Sequence, residues 1–250
     1  VRALAVSGTN LWAGIYGGGV FLSTNNGTSW TAVKNGLPDT SVPHLAKHGM
    51  HSWVFALAVN GPNLFAGTCG AGVFLSTSNG ANWTATGLTN ANVFALAVSG
   101  ENLFAGIEGG VFLSANNGAN WTTTGLTNTN VFALAVSGTN LFAGTEDGGV
   151  FLSTDNGTSW TVVNTGLTNT NISALAVSGT NLFAGTEGGG VFRSTNDGTS
   201  WTEVNSGLTA TSVRALAVSG TNLFAGTDGG VFLSTNNGTS RTEVNTGLTN

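Results

Sequence analysis

The chain has 250 residues and a net charge of −5, with 39 glycines but only six lysines and arginines. A nucleic-acid surface needs clustered basic side chains, so the scattered six exclude that class of partner. The single cysteine excludes an internal disulfide, and no apolar run is long enough to cross a bilayer, so we expect no membrane partner. The sequence starts at Val1 in mid-pattern, which suggests that a leader or a flanking region was removed or left out, and a secreted or periplasmic location is one interpretation.

The chain consists of six copies of one unit of about forty residues, a period typical of propeller blades with four strands each. In each copy, four short segments separated by Gly and Asn turns predict strands A to D, with recurring sequences VFALAVSG, NLFAG, GVFLS and W-T-x-V. The sequence therefore predicts one all-β domain, a six-bladed β-propeller of four-stranded antiparallel blades, which we expect to be a monomer. The predicted blades span residues 1–37, 54–92, 93–130, 131–171, 172–212 and 213–250, and residues 38–53 form an insertion between blades one and two.

The predicted turn between strands C and D has a recurring motif, seen as STNNGTSW, STDNGTSW and STNDGTSW. This motif resembles the Asp-box, or BNR, repeat, whose pattern is roughly Ser-x-Asp-x-Gly-x-x-Trp. The resemblance implies a propeller, but not one activity, because the repeat occurs in sialidases, other glycoside hydrolases, sortilin-type receptors, photosystem assembly factors and lectins. It also implies that the box is a structural turn whose Trp packs between strands, here Trp30, Trp83, Trp121, Trp160 and Trp201, with Arg241 in the last copy.

The residues that sialidases need are missing. Those enzymes use an arginine cluster, a tyrosine nucleophile with a nearby Glu, and an acidic acid/base residue. This chain has four arginines, of which Arg2 and Arg214 stand where other copies have Phe or Ser, and one tyrosine, Tyr16. We interpret the position of these two arginines as a packing position and expect no sialidase activity.

The position that follows strand B holds reactive or acidic side chains that differ between the copies. Directly after strand B the six blades have Tyr16, Cys69, Glu108, Glu146, Glu187 and Asp228. In a propeller the connections from D to A and the loops from B to C lie on the same face. The insertion at residues 38–53 should therefore lie on the face that carries these side chains, close to Tyr16 and Cys69.

All three histidines of the chain, His44, His48 and His51, lie in this insertion. If a helix follows Pro43, their spacing of i, i+4 and i+7 places them on one face. Three neutral imidazoles would leave one position of a tetrahedral zinc open for water and lower the pKa of that water to about 7. The sequence thus predicts a site for zinc or another divalent transition metal, with a solvated loop as the simpler alternative.

Other residues could complete such a site. Glu108, Glu146, Glu187 and Asp228 are candidates to transfer a proton or to orient the metal ligands. Cys69 could be a fourth ligand, or a nucleophile with a histidine as base.

Three aromatic residues, Trp12, Tyr16 and Trp53, could form an apolar wall for a small-molecule substrate. The same residues could equally belong to the core beneath the insertion.

We predict from these residues a metal-dependent hydrolase, with zinc as the first choice, acting on an ester or phosphoester through metal-bound hydroxide. The alternatives are a glycan-binding, lectin-like propeller and a propeller that docks another protein. A repeated lectin site would recur in several blades, whereas the distinctive residues occur once, which favours a single site.

Overall fold

The computed structural model describes residues 1–38 and 53–248, and these residues form strands and turns but no helix. Six antiparallel sheets are present, each made of four consecutive strands, which confirms the predicted all-β, six-bladed propeller. Within the described residues there is no helix with the length and apolar character needed to cross a membrane. The chain divides into two compact units, Val1–Asn128 and Thr129–Asn250.

The first unit contains blades one to three. Strands A to D of blade one are β1 (Ala3–Ser7), β2 (Asn10–Ile15), β3 (Gly19–Ser23) and β4 (Thr31–Ala32). Those of blade two are β5 (Val54–Asn60), β6 (Asn63–Thr68), β7 (Gly72–Ser76) and β8 (Thr84–Ala85). Those of blade three are β9 (Val93–Ser99), β10 (Asn102–Ile107), β11 (Gly110–Ser114) and β12 (Thr122–Thr127).

The second unit contains blades four to six. Blade four has β13 (Val131–Ser137), β14 (Asn140–Thr145), β15 (Val150–Ser153) and β16 (Thr161–Val162). Blade five has β17 (Ile172–Ser178), β18 (Asn181–Thr186), β19 (Gly190–Ser194) and β20 (Thr202–Glu203). Blade six has β21 (Val213–Ser219), β22 (Asn222–Thr227), β23 (Gly230–Ser234) and β24 (Thr242–Glu243).

Strand A of blades two to six carries a β-bulge near its start, which the sequence pattern did not predict. In blade two the register passes from Val54 to Ala56, so Phe55 is the extra residue opposite strand B. The same shift isolates Phe94 in blade three and Arg214 in blade six. Because a bulge bends the strand and re-aims the side chain of the extra residue, these residues leave the regular alternation of the sheet.

The core of each unit lies between adjacent blades. In the first unit, Trp12 of blade one packs in one cluster with Val54 and Leu64 of blade two. In the second unit, Phe142 of blade four packs with Ile172 and other residues of blade five. Side chains of this size each contribute about 1.5–3 kcal/mol when they are fully buried, so the apolar strands hold neighbouring blades together.

The turn between strands C and D is held by hydrogen bonds from its own side chains. In blade one, the amide of Gly27 donates to Ser23 Oγ at 2.9 Å and the amide of Ser29 donates to Asn25 Oδ1 at 2.9 Å. Asn26 has φ of 55°, a left-handed conformation that Asn tolerates better than most residues. The equivalent left-handed residues are Asn79, Asn117, Asn156, Asp197 and Asn237.

The tryptophan that follows this turn connects one blade to the preceding one. Trp83 Nε1 donates to the carbonyl oxygen of Val33 at 2.8 Å, and Trp201 Nε1 donates to that of Val163 at 2.7 Å. Arg241 occupies the same place in blade six, where its Nη1 donates to the carbonyl of Val204. The predicted structural role of these tryptophans is therefore confirmed for the buried members of the set.

Candidate functional site

One edge of each blade brings together the start of strand A and the end of strand B. In blade two the amide of Cys69 donates to the carbonyl of Trp53 at 3.0 Å, and in blade four the amide of Glu146 donates to that of Asn130 at 3.1 Å. We call this the BC-loop edge, because the loop from B to C begins here. Trp53, the last residue of the insertion, thus lies beside Cys69 as the topology predicts.

In the first unit, the BC-loop edge carries a row of aromatic side chains. Tyr16 stacks on Trp53 with ring centroids 4.1 Å apart and planes 22° apart. Trp53 is followed by Phe55 at 6.1 Å and Phe55 by Phe94 at 5.9 Å, both in tilted arrangements. The guanidinium carbon of Arg2 lies 5.6 Å from the centre of the Tyr16 ring. We call Tyr16, Trp53, Phe55 and Phe94 the aromatic row.

The row is reachable from solvent. Tyr16 is 52% exposed, and the other three members are half-buried. Phe55 and Phe94 reach this edge because they are the extra residues of two bulges. Large aromatic surface that stays accessible on a folded chain is more informative than the same residues in a core.

A short polar chain runs through blades two and three at the same edge. The thiol of Cys69 donates to Asn92 Oδ1 at 3.3 Å, and Asn92 Nδ2 donates to Glu108 Oε1 at 2.8 Å. Burial, and secondarily the negative charge of Glu108, raise the pKa of the Cys69 thiol. A thiol held in its protonated form is a weak nucleophile, so these surroundings do not activate Cys69.

In the second unit, the carboxylates of this edge are engaged by their neighbours. Asn130 Nδ2 donates to Glu146 Oε2 at 2.6 Å. Arg214 bridges two blades, with Nε 3.0 Å from Asp228 Oδ1 and Nη1 3.1 Å from Glu187 Oε1. The hydrogen bond from Arg214 lowers the pKa of Asp228, which keeps this carboxyl ionised and unsuited to donate a proton at neutral pH.

Two sequence interpretations need correction. Arg2 and Arg214 do not occupy a packing position: Arg2 and Arg214 are exposed, the first over Tyr16 and the second in ion pairs. For Arg214 the bulge is the physical reason, because it removes the extra residue of strand A from the packed face. Arg2 precedes β1, whose register with β2 begins at Ala3. Trp12 is buried in the core of blades one and two, where its Nε1 donates to the carbonyl of Asn79 at 3.1 Å. We therefore leave Trp12 out of the candidate binding surface.

The metal ligands predicted from the sequence, His44, His48 and His51, lie outside the described residues. Residues 1–38 and 53–248 contain no group of three or more His, Cys, Asp or Glu side chains placed to hold a metal ion. Sequence reasoning missed Phe55, Phe94 and Asn92. The available signal is the run of Phe at the second position of strand A in blades two to four, which the sequence pattern assigns to a packed face.

Known families and structures agree with the fold. The model of the DUF6242 beta propeller domain matches residues 51–167 and, a second time, residues 141–249. Among curated proteins there is no match. The extracellular domain assigned to the hybrid two component system BT3049 of B. thetaiotaomicron superposes with a TM-score of 0.72 at 19% identity, covering 93% of this chain and 32% of that one.

Two further structures have the same architecture. An ancestral GH74 enzyme has a TM-score of 0.66 at 21% identity, over 77% of this chain and 31% of its own. YCF48 bound to D1 peptide has a TM-score of 0.67 at 16% identity, over 95% of this chain and 78% of its own. This chain thus spans about a third of the length of the BT3049 domain and of the GH74 enzyme. Identities this low indicate the fold alone. Since the two family matches together extend over residues 51–249, this chain belongs to the DUF6242 beta propeller domain family.

Proposed function

We propose that this chain is a binding module that holds a segment of another protein along the aromatic row of its first unit. The observation that carries the proposal is the row itself, in which Tyr16, Trp53, Phe55 and Phe94 follow one another at ring distances of 4.1, 6.1 and 5.9 Å across three blades. Tyr, Trp and Arg dominate the binding energy of protein interfaces.

The size of the row suits a short extended segment. With a rise of about 3.3 Å per residue, an extended chain laid along these ring steps would contact the row over roughly four or five residues. At the same edge, the amide of Asn92 has one hydrogen and one lone pair beyond its bonds to Glu108 and Cys69, and these can bind a peptide backbone.

The charges at the two ends of the row favour a segment that carries both signs. Arg2 lies beside Tyr16 in blade one, and Glu108 lies in the same blade as Phe94. A peptide with an acidic group near Arg2 and a basic group near Glu108 would complement both ends. Peptide binding by a propeller of this architecture has a parallel in YCF48, whose structure holds the D1 peptide.

The test is an array of immobilised short peptides, probed with the labelled native chain and with two variants. We expect Tyr16→Ala and Phe55→Ala to lose roughly tenfold or more in affinity for the peptides that the native chain selects. Trp30→Ala is the matched control, because Trp30 is also exposed but lies beside the turn from C to D. Equal loss in the control, or unchanged binding in both row variants, would refute the proposal.

A glycan array run in parallel tests whether the chain binds glycans instead of peptides. Tyr16 has Arg2 over its ring and Trp53 stacked on it, whereas a sugar needs an open aromatic face. Selective glycan binding that is abolished by Tyr16→Ala would replace the peptide proposal with a lectin-like function.

A zinc-dependent ester or phosphoester hydrolase is the second candidate. It is favoured by the position of Trp53, which directly follows the segment with His44, His48 and His51 and contacts Tyr16 and Cys69. Elemental analysis of native protein and of His48→Ala, after dialysis against a weak chelator, tests it. One equivalent of zinc lost in the variant would support this function, and no retained metal in either protein would exclude it.

We also infer that the turns between C and D are Asp-box repeats in which Asn usually replaces Asp. In support, Asp155 and Asn196 each accept the amide of the residue four positions later at 2.9 Å. The same geometry with either side chain explains how the motif tolerates the change.

A further inference from the structure

A small cleft lies beside the turn between strands C and D of blade three. Leu113 in strand C and Thr122 in strand D are directly opposite each other, so their side chains lie on the same face of the sheet. Together with Ala115, Asn116 and Asn120 they line a cleft of about 200 Å³. We call these five residues the blade-three cleft.

Ala115 leaves room in this cleft that the other blades fill. Each of them has a threonine at the equivalent position, namely Thr24, Thr77, Thr154, Thr195 and Thr235. Threonine carries two heavy atoms on its Cβ, whereas alanine carries none. Blade three therefore has more space at this point than the five other copies of the same turn.

Blade three also differs in the hydrogen bonds of the turn. In blades one, five and six, Nδ2 of the turn asparagine donates to a serine four residues later, in the pairs Asn25–Ser29 at 2.9 Å, Asn196–Ser200 at 3.0 Å and Asn236–Ser240 at 2.9 Å. In blade three that serine is replaced by Asn120. Asn116 Oδ1 still accepts from Ser114 Oγ at 3.0 Å and from the amide of Asn120 at 2.9 Å. Its Nδ2, however, has no partner within residues 1–38 and 53–248.

The side chain of Asn120 is uncommitted as well, since only its backbone amide is bonded to the described part of the chain. Both asparagines are exposed. An asparagine side chain has two N–H donors and one oxygen with two lone pairs. The cleft thus combines two neighbouring carboxamides with an apolar wall of Leu113 and Ala115, and none of its five residues carries a charge.

We propose that the blade-three cleft binds a neutral sugar ring that carries an acetamido group, such as N-acetylglucosamine. An acetamido group has a carbonyl acceptor, an N–H donor and a methyl group. Asn116 Nδ2 would donate to the carbonyl, Asn120 Oδ1 would accept the N–H, and the methyl group would pack on Leu113 and Ala115. An apolar wall with a few convergent polar groups is the usual composition of a small-molecule site.

The remaining polar groups and the size of the cleft favour one sugar ring. Asn120 Nδ2 and the hydroxyl of Thr122 remain for ring hydroxyls, which a simple amide does not have. Sites for drug-sized ligands measure about 300–1,000 Å³, so a cleft of about 200 Å³ suits a smaller ligand.

This site is separate from the proposed peptide site. Strand C of blade three runs from Gly110 at the BC-loop edge to Ser114 at the turn into strand D. The aromatic row and the blade-three cleft therefore lie at opposite ends of this strand, and each can be tested without the other.

Saturation-transfer difference NMR with increasing N-acetylglucosamine tests the proposal. We expect saturation of the acetamido methyl protons and a Kd on the order of 1 mM, as for a weak ligand of this size. Glucose lacks the acetamido group and N-methylacetamide lacks the ring, so both should bind roughly tenfold more weakly or worse.

Two variants alter the cleft by introducing residues that other blades already have. Asn120→Ser restores the asparagine–serine bond, and Ala115→Thr fills the space; each should weaken binding by roughly tenfold or more. Ala119→Thr is the matched control, because Ala119 is exposed in the same turn but does not line the cleft. It should bind like the native chain, and circular dichroism verifies that all variants are folded.

Blade six allows a gain-of-binding test, since its Leu233, Asn236 and Thr242 match the remaining cleft residues. Adding Thr235→Ala and Ser240→Asn to the Asn120→Ser variant should restore binding. A transferred cleft that does not bind, unchanged binding in Asn120→Ser and Ala115→Thr, or glucose binding as tightly as N-acetylglucosamine would each overturn the proposal. Binding that is lost in Tyr16→Ala and kept in Asn120→Ser would also overturn it, by assigning the sugar to the aromatic row.

Discussion

Replacing Arg241 with Trp should stabilise the second unit. Arg241 is 4% exposed, and its Nε and Nη2 find no hydrogen-bond partner among the residues that the structure describes. Burial lowers the pKa of Arg241 to about 10, which corresponds to a penalty of about 3 kcal/mol on the charged form. The same penalty can be estimated from the two donors without partners, at about 1–3 kcal/mol for each buried group.

A tryptophan at this position would remove the buried charge and restore the indole hydrogen bond that Trp201 makes in the preceding blade. We expect the free energy of unfolding to rise by about 2–4 kcal/mol. At about 2–4 °C per kcal/mol, the melting temperature should rise by roughly 4–16 °C. Because the pKa in the folded state is the lower one, the penalty is complete below pH 10 and declines only above it.

Thermal unfolding followed by circular dichroism at neutral pH measures this effect. Arg241→Leu separates the two contributions, since it removes the charge without restoring the indole bond. Trp201→Arg is the reciprocal control and should destabilise the same unit by about 3–5 kcal/mol. If Arg241→Trp leaves the melting temperature unchanged or lowers it, the guanidinium is solvated in a way that this reasoning does not include.

Two further predictions compare equivalent positions of different blades. Gly185→Ala should lower the free energy of unfolding by about 1–3 kcal/mol, because its Cβ would lie 2.6 Å from Val213. Gly226→Ala should leave this free energy nearly unchanged. Equal urea midpoints for the two variants would contradict this prediction. Hydrogen bonds from Ser159 lower the pKa of Asp155 to about 2, so its stabilising effect is present above pH 4 and is lost as the pH falls towards 2. Asp155→Asn, the residue found in most other blades, should flatten the melting temperature over that pH range.

The repeat made the fold predictable. Six copies with the same turn residues define the strand order, because each Gly or Asn stands where the backbone needs a left-handed conformation, as Asn26 and Gly27 do. The topology also predicted that the end of the insertion would meet Tyr16 and Cys69, and Trp53 contacts both. These features depend on local chemistry and connectivity, which a sequence carries directly.

The bulge could not be predicted, and two of the four members of the aromatic row depend on it. A period of two assigns Phe55 and Phe94 to a packed face, whereas the extra residue in the register turns both towards the BC-loop edge. Strand D was also shorter than its pattern indicated, with two residues in every blade except blade three. Both differences arise from hydrogen-bond register between strands, which the side-chain pattern alone does not determine.

Departures from the repeat identify function only when exposure is taken into account. Trp12 and Arg241 depart as clearly as Tyr16 does, yet both are buried between blades and change only packing and stability. Tyr16 lies at an edge where packing of the sheet does not require one type of side chain, since other blades have an acid or a thiol at the same position. Packing therefore leaves this edge free to vary, and a ligand that selects residues there would produce the aromatic row without disturbing the blades beneath it.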